Sequence, residues 1–168
     1  GTSISFGSAV VFESGNTSQI SATYDSTNEK VVIAYRDDSN SDYGTAIVGT
    51  VSGTSISFGS AVVFESAQSS YISAVYDSSN SKVVIAYEDN GNSNYGTAIV
   101  GTVSGTSISF GTAVVFNSET TSYFSATFDS ANNKVVIAYR DSGNSGAGTA
   151  VVGTVSGTSI SFGSAVEY

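Results

Sequence analysis

The chain has 168 residues, 40% of them hydrophobic and only 11% charged, with a net charge of −9 and five Lys and Arg in total. Gripping phosphate takes clustered Lys and Arg, so this balance excludes nucleic acid and an anionic membrane surface as partners. With no Cys and no His there is no disulfide, no thiolate metal site and no usual nucleophile–histidine triad.

Residues 1–12, Gly1-Thr-Ser-Ile-Ser-Phe-Gly-Ser-Ala-Val-Val-Phe12, read as an outer strand that stands without companions. Three units follow at a spacing of 52 residues, 13–64, 65–116 and 117–168, within one repeat domain over 1–168. In the first unit a polar loop leads to Gln19–Tyr24, whose alternation of apolar with small or polar residues reads as strand A. Asp25–Glu29 is a turn of turn-favouring residues. Lys30–Tyr35 is strand B, apolar on both faces, which places Tyr35 and its counterparts Tyr87 and Tyr139 in the core. Arg36–Tyr43, rich in Asp, Asn and Ser, is a loop, and Thr45–Val51 is strand C, again apolar throughout. Ser52-Gly53-Thr54-Ser55 makes a hairpin with Gly at the first central position, as a type II′ turn requires. Strand D runs from Ser55 to Phe64, with Gly59 marking a bulge. No segment has helical periodicity and proline is absent, so the chain is all-β.

Four antiparallel strands per unit at a period near 50 are the signature of β-propeller blades, and burial of B and C on both faces agrees with blades stacked around an axis. Three blades cannot close, whereas two chains give six; a homodimer completing a six-bladed ring is therefore expected. A threefold β-trefoil or β-prism, closing within one chain, is the alternative. In the propeller the orphan strand at 1–12 is a strand D awaiting a strand C, and an isolated monomer exposes two apolar sheet faces and folds poorly. The start in mid-repeat without an initiating Met suggests a trimmed, processed or engineered piece.

The sequences Ile-Ser-Ala-Thr-Tyr-Asp, Lys-Val-Val-Ile-Ala-Tyr-Arg-Asp and Gly-Thr-Ala-Ile-Val-Gly resemble tandem β-propeller repeats of secreted bacterial and phage tail-fibre-like proteins. The resemblance implies an extracellular, virion-surface or cell-surface setting and a role in adhesion or recognition, with glycans as the leading ligand class.

Differences between copies gather at 13–19, 65–71 and 117–123 and at 36–43, 88–95 and 140–147, the D–A and B–C loops, which share one rim of a propeller. Tyr43 and Tyr95 end B–C loops and Tyr71 and Tyr123 end D–A loops, where ring faces suit the C–H surface of sugars. Asp38 and Asp42 supply planar hydrogen-bond partners, and Arg36 and Arg140 suit a carboxylate, with Glu88 in the middle copy. These nine residues are the candidate ligand site, with no cofactor. Asp38-x-Asn40-x-Asp42 alternates oxygen ligands as a calcium loop does, but the later copies lose the carboxylates, so a turn is the better reading and no metal is expected. Asp25, Asp77, Asp129 and Asp37, Asp89, Asp141 recur after strands A and B as turn caps. Near-identical copies do not supply the unique constellation that catalysis needs, so no enzyme is expected. A purely structural or engineered self-assembling scaffold without a small ligand is the second reading.

Overall fold

The structure, a computed structural model, describes residues 3–167, so Gly1 and Thr2 of the expected outer strand and Tyr168 of the third unit lie outside the described residues. It is all-β, with thirteen antiparallel strands joined in one sheet that does not close on itself. The strands are β1 (Thr17–Asp25), β2 (Lys30–Asp37), β3 (Tyr43–Ser52), β4 (Ser55–Phe58), β5 (Val62–Asp77), β6 (Lys82–Asp89), β7 (Tyr95–Ser104), β8 (Ser107–Phe110), β9 (Val114–Asp129), β10 (Lys134–Asp141), β11 (Ala147–Ser156), β12 (Ser159–Phe162) and β13 (Val166–Glu167).

One pairing pattern recurs. β1 pairs β2, β2 pairs β3, and β3 pairs both β4 and the start of β5. The remainder of β5 then pairs β6, so a single strand closes one unit and opens the next; β9 does the same between the second and third. The D–A segments expected as polar loops at 65–71 and 117–123 are therefore continuous strand. Their backbone groups are satisfied by β3 and β7 on one side of the bend and by β6 and β10 on the other.

The hairpin turns follow from glycine. Gly53, Gly105 and Gly157 have φ of 60°, 61° and 62°, while the threonines after them stay out of the left-handed region, the pattern of a type II′ turn. Between β4 and β5, Gly49 pairs with Phe58 and Ala46 with Val62, so one side carries an extra residue, and the Gly59 N–H donates to the Val48 carbonyl (2.9 Å). That is the bulge that Gly59 marks in the sequence.

The core lies between units. Val32, Ala34, Ala46 and Val48 of the first unit pack against Val83, Ile85, Tyr87, Ile99, Val103 and Ile108 of the second. The other face of the second unit, Val84, Ala86, Ala98 and Val100, packs against Val135, Ile137, Tyr139, Val151, Val155 and Ile160 of the third. Both faces of β6 and β7 are thus buried, and Tyr35, Tyr87 and Tyr139 are core residues. The inner strands β1, β5 and β9 lie side by side, and Ser21 Oγ and Ser73 Oγ accept from the Ala74 and Ala126 N–H groups (3.0 Å each).

Residues 3–12, expected as an outer strand, form no strand. The reason is the absence of a strand C beside them, for a strand exists only through its ladder. The segment nevertheless lies where outer strands lie. Phe12 meets Tyr35 with ring centroids 5.2 Å apart, as Phe64 meets Tyr87 (5.2 Å) and Phe116 meets Tyr139 (5.3 Å).

Candidate binding rim

The turns after β2, β6 and β10 and the bends in β5 and β9 converge at one end of the units. The Ser69 N–H donates to the Asp42 carbonyl and the Thr121 N–H to the Asn94 carbonyl (3.1 Å each), which joins each turn to the strand entering the next unit. The opposite end is stitched by polar turn residues, with the Tyr76 hydroxyl donating to Thr27 Oγ1 at 2.6 Å.

On this rim each inner strand carries one residue in the left-handed region: Gln19 (φ 54°), Tyr71 (φ 50°) and Tyr123 (φ 57°). They sit at register breaks, between the pairs Ser18–Arg36 and Ser21–Ala34 in the first unit and between Ser70–Glu88 and Ser73–Ala86 in the second. A left-handed bulky residue costs about 1–3 kcal/mol, and bulges re-aim side chains beside functional sites. Here the bulges bring three inner-strand residues together. Gln19 Oε1 accepts from the Tyr71 N–H (3.0 Å), and the Tyr71 and Tyr123 rings lie 4.9 Å apart, with Tyr123 68% exposed.

The second-strand residues of the bulge pairs are Arg36 beside Gln19, Glu88 beside Tyr71 and Arg140 beside Tyr123. Glu88 is buried, and among the described residues no salt bridge joins it to an arginine; burial pushes its carboxyl above the usual range. Burial also raises the Tyr71 phenol, helped by Tyr123 and the charge of Glu88 and opposed by that of Arg140. Tyr71, Tyr123, Glu88 and Arg140 therefore share one neighbourhood. Arg140 is exposed and donates Nη1–H to Ser142 Oγ (3.1 Å).

Arg36, Asp38 and Asp42 form a separate group. Arg36 Nε lies 2.6 Å from Asp38 Oδ1 and 3.7 Å from Asp42 Oδ1, and the Ser18 hydroxyl donates to Asp38 (2.8 Å). The Arg36 and Ser18 hydrogen bonds hold the Asp38 carboxyl below its ordinary value. In the second unit Asn90 accepts from Ser70 in the same way (3.0 Å), so the Asp38 position ties the turn to the inner strand. Tyr43 and Tyr95 are half-buried at the starts of β3 and β7, paired with Gln68 and Thr120 of the following unit, and are not part of the Tyr71–Tyr123 pair.

The recurrent aspartates are turn caps. Asp25 Oδ1 accepts from the Thr27 and Asn28 N–H groups and Oδ2 from the Asn28 amide, and Asp77 and Asp129 repeat the arrangement. Burial raises the Asp25 carboxyl, yet these hydrogen bonds outweigh it and the net direction is down. Asp37 accepts from Ser39 and Asn40, Asp89 from Asn92 and Asp141 from Gly143.

Sequence reasoning missed Gln19, which it read as the first residue of strand A. The signal is its spacing: 19, 71 and 123 are equivalent positions, and Gln19 orders the backbone of the next residue in that row. The described surface has no enclosed pocket, so a ligand on this rim would lie across an open face. No protein-family model matches the chain, and neither a curated protein nor a solved structure shows significant similarity to it.

Proposed function

We propose that the chain is a non-catalytic recognition or adhesion module whose units are propeller blades. In this reading it completes a six-bladed ring by head-to-tail association with a second copy and presents the tyrosine-bearing rim to glycans at a cell or virion surface. The observation that carries the ligand class is the row Gln19, Tyr71 and Tyr123. Two adjacent aromatic faces, held in a strained backbone and one of them largely exposed, stand beside a buried carboxylate that no salt bridge joins to an arginine among the described residues, and beside the exposed Arg140, whose guanidinium donates to Ser142. A sugar offers apolar C–H faces to the rings and hydroxyls to Glu88 and Arg140, so both halves of the site find partners.

The test is a glycan array probed with the wild-type chain, Tyr71→Ala and Tyr123→Ala. A saccharide signal that either substitution lowers at least tenfold, with the fold intact by circular dichroism, supports the reading. A silent wild-type array overturns it and leaves a self-assembling scaffold without a small ligand, a reading favoured by the open apolar faces described next.

A further inference from the structure

The residues on the two end faces are the same as those that internal faces bury. Val51 of the first unit is 52% exposed, while its counterparts Val103 and Val155 are each 6% exposed. At the other end Val152 is 46% exposed, while Val48 and Val100 are fully buried. The two internal joints show what covers such faces: the Val152 type of face packs against the Val51 type. The end faces are therefore complementary to each other, and the partner of stated chemistry is a second copy.

A simple docking of faces is blocked by one detail. In each internal joint the outer strand of one unit rests on the next unit. A Cβ added at Gly59 would run into the Thr106 carbonyl, and one at Gly111 into that of Thr158. Gly7 stands in the same relation to Thr54, so residues 3–12 already occupy, on the first unit, the place of a preceding unit's outer strand. That strand is missing its ladder partner and the unit that would pack behind it. Ile4 is 76% exposed, whereas Ile160, at the same position but paired to β11 and packed in the core between the second and third units, is 3% exposed. A second copy can supply the partner only from β11, whose edge its own β12 and β13 occupy.

From this we infer that two copies join by strand exchange: residues 3–12 of one copy replace 159–167 on β11 of the other. The inference rests on the head-to-tail association proposed above. The exchange is like for like, because residues 1–10 and 157–166 are identical, so the ladder lost is the ladder regained. The gain is apolar burial. The incoming segment arrives already packed on a first unit and brings the Val51 face down on the Val152 face, whereas β12 and β13 carry nothing on their outer side. Gly163, which would meet only Val152 O at 3.9 Å, marks that empty side.

The native chain has no cysteine, so a pair introduced for cross-linking reports without background. Thr154 pairs with Ser161, and Ser5 is the residue that takes the place of Ser161 after exchange. The chain with Ser5→Cys and Thr154→Cys is oxidised and run without reductant, with each single substitution as control, and its native mass is measured by light scattering. Linked copies from the double variant only, with a reduced mass of about 34 kDa for two 17.0 kDa chains, support the exchange. An unlinked 34 kDa species overturns the exchange while leaving the ring, and an unlinked 17.0 kDa monomer overturns both. Two truncations give an independent measurement. Removing 157–168 vacates the β11 edge and is expected to tighten association at least tenfold, and removing 1–12 to abolish it; unchanged affinity in both overturns the exchange.

Discussion

Glu88 shows how one position in a repeat can be set apart by a single substitution. Its counterparts are Arg36 and Arg140, which reach solvent or nearby acceptors, while the middle copy is enclosed by a unit on each side. A carboxylate there is held above its ordinary ionisation range by burial. Unfolded, the group ionises near 4.5; folded, it keeps its proton to higher pH, so ionisation weakens the fold above that range and costs nothing below it. Glu88→Gln is therefore expected to raise the Tm by roughly 1–3 °C at pH 7 and to have no effect at pH 4, as read by thermal denaturation. Equal Tm values at pH 7 would mean that Glu88 is solvated. The aspartate turn caps run the other way: the lowered Asp25 and Asp129 carboxyls stabilise the fold above the unfolded pKa, a contribution lost as acid protonates them.

The outer strands of the first two units are each two short ladders broken by a glycine that touches the next unit. The break is a bulge along one ladder, since β4 and the start of β5 both pair β3 and the corner into the next unit comes later, between Gln68 and Ser69; the missing side chain lets the neighbour's hairpin approach. Gly111 and Gly163 are equivalent in sequence but not in surroundings. Gly111→Ala is expected to cost about 1–3 kcal/mol in urea unfolding, because the new methyl must move the Thr158 backbone. Gly163→Ala, with only an ordinary contact to Val152, is expected to cost under about 0.5 kcal/mol. Equal costs would show that the close approach is not what demands glycine.

In the whole molecule, stability passes from unit to unit through faces, not through a central core. Val100→Ala removes methyl groups from a fully buried site and is expected to cost on the order of 2 kcal/mol at any protein concentration. Val152→Ala is expected to cost less than about half of that where the chain is monomeric, and to approach the Val100 value at tens of micromolar as a second copy covers the face. Urea titrations at two concentrations check this; a Val152→Ala cost independent of concentration would mean that the face stays open.

Much of this was legible in the residue order. The all-β class, the strand periods, the type II′ turns at Gly53, Gly105 and Gly157, the bulge at Gly59 and the buried Tyr35, Tyr87 and Tyr139 follow from alternation and turn chemistry, which act between near neighbours. The D–A bends did not read as strand because their polar residues are held by ladders to two different units. The pairing of Tyr71 with Tyr123 was hidden because it joins residues of neighbouring units through bulges. By itself the sequence determined the unit and its repetition. Only the tertiary structure decided which copies of that unit are covered and which are left open, since identical residues at equivalent positions differ solely in whether another unit stands beside them.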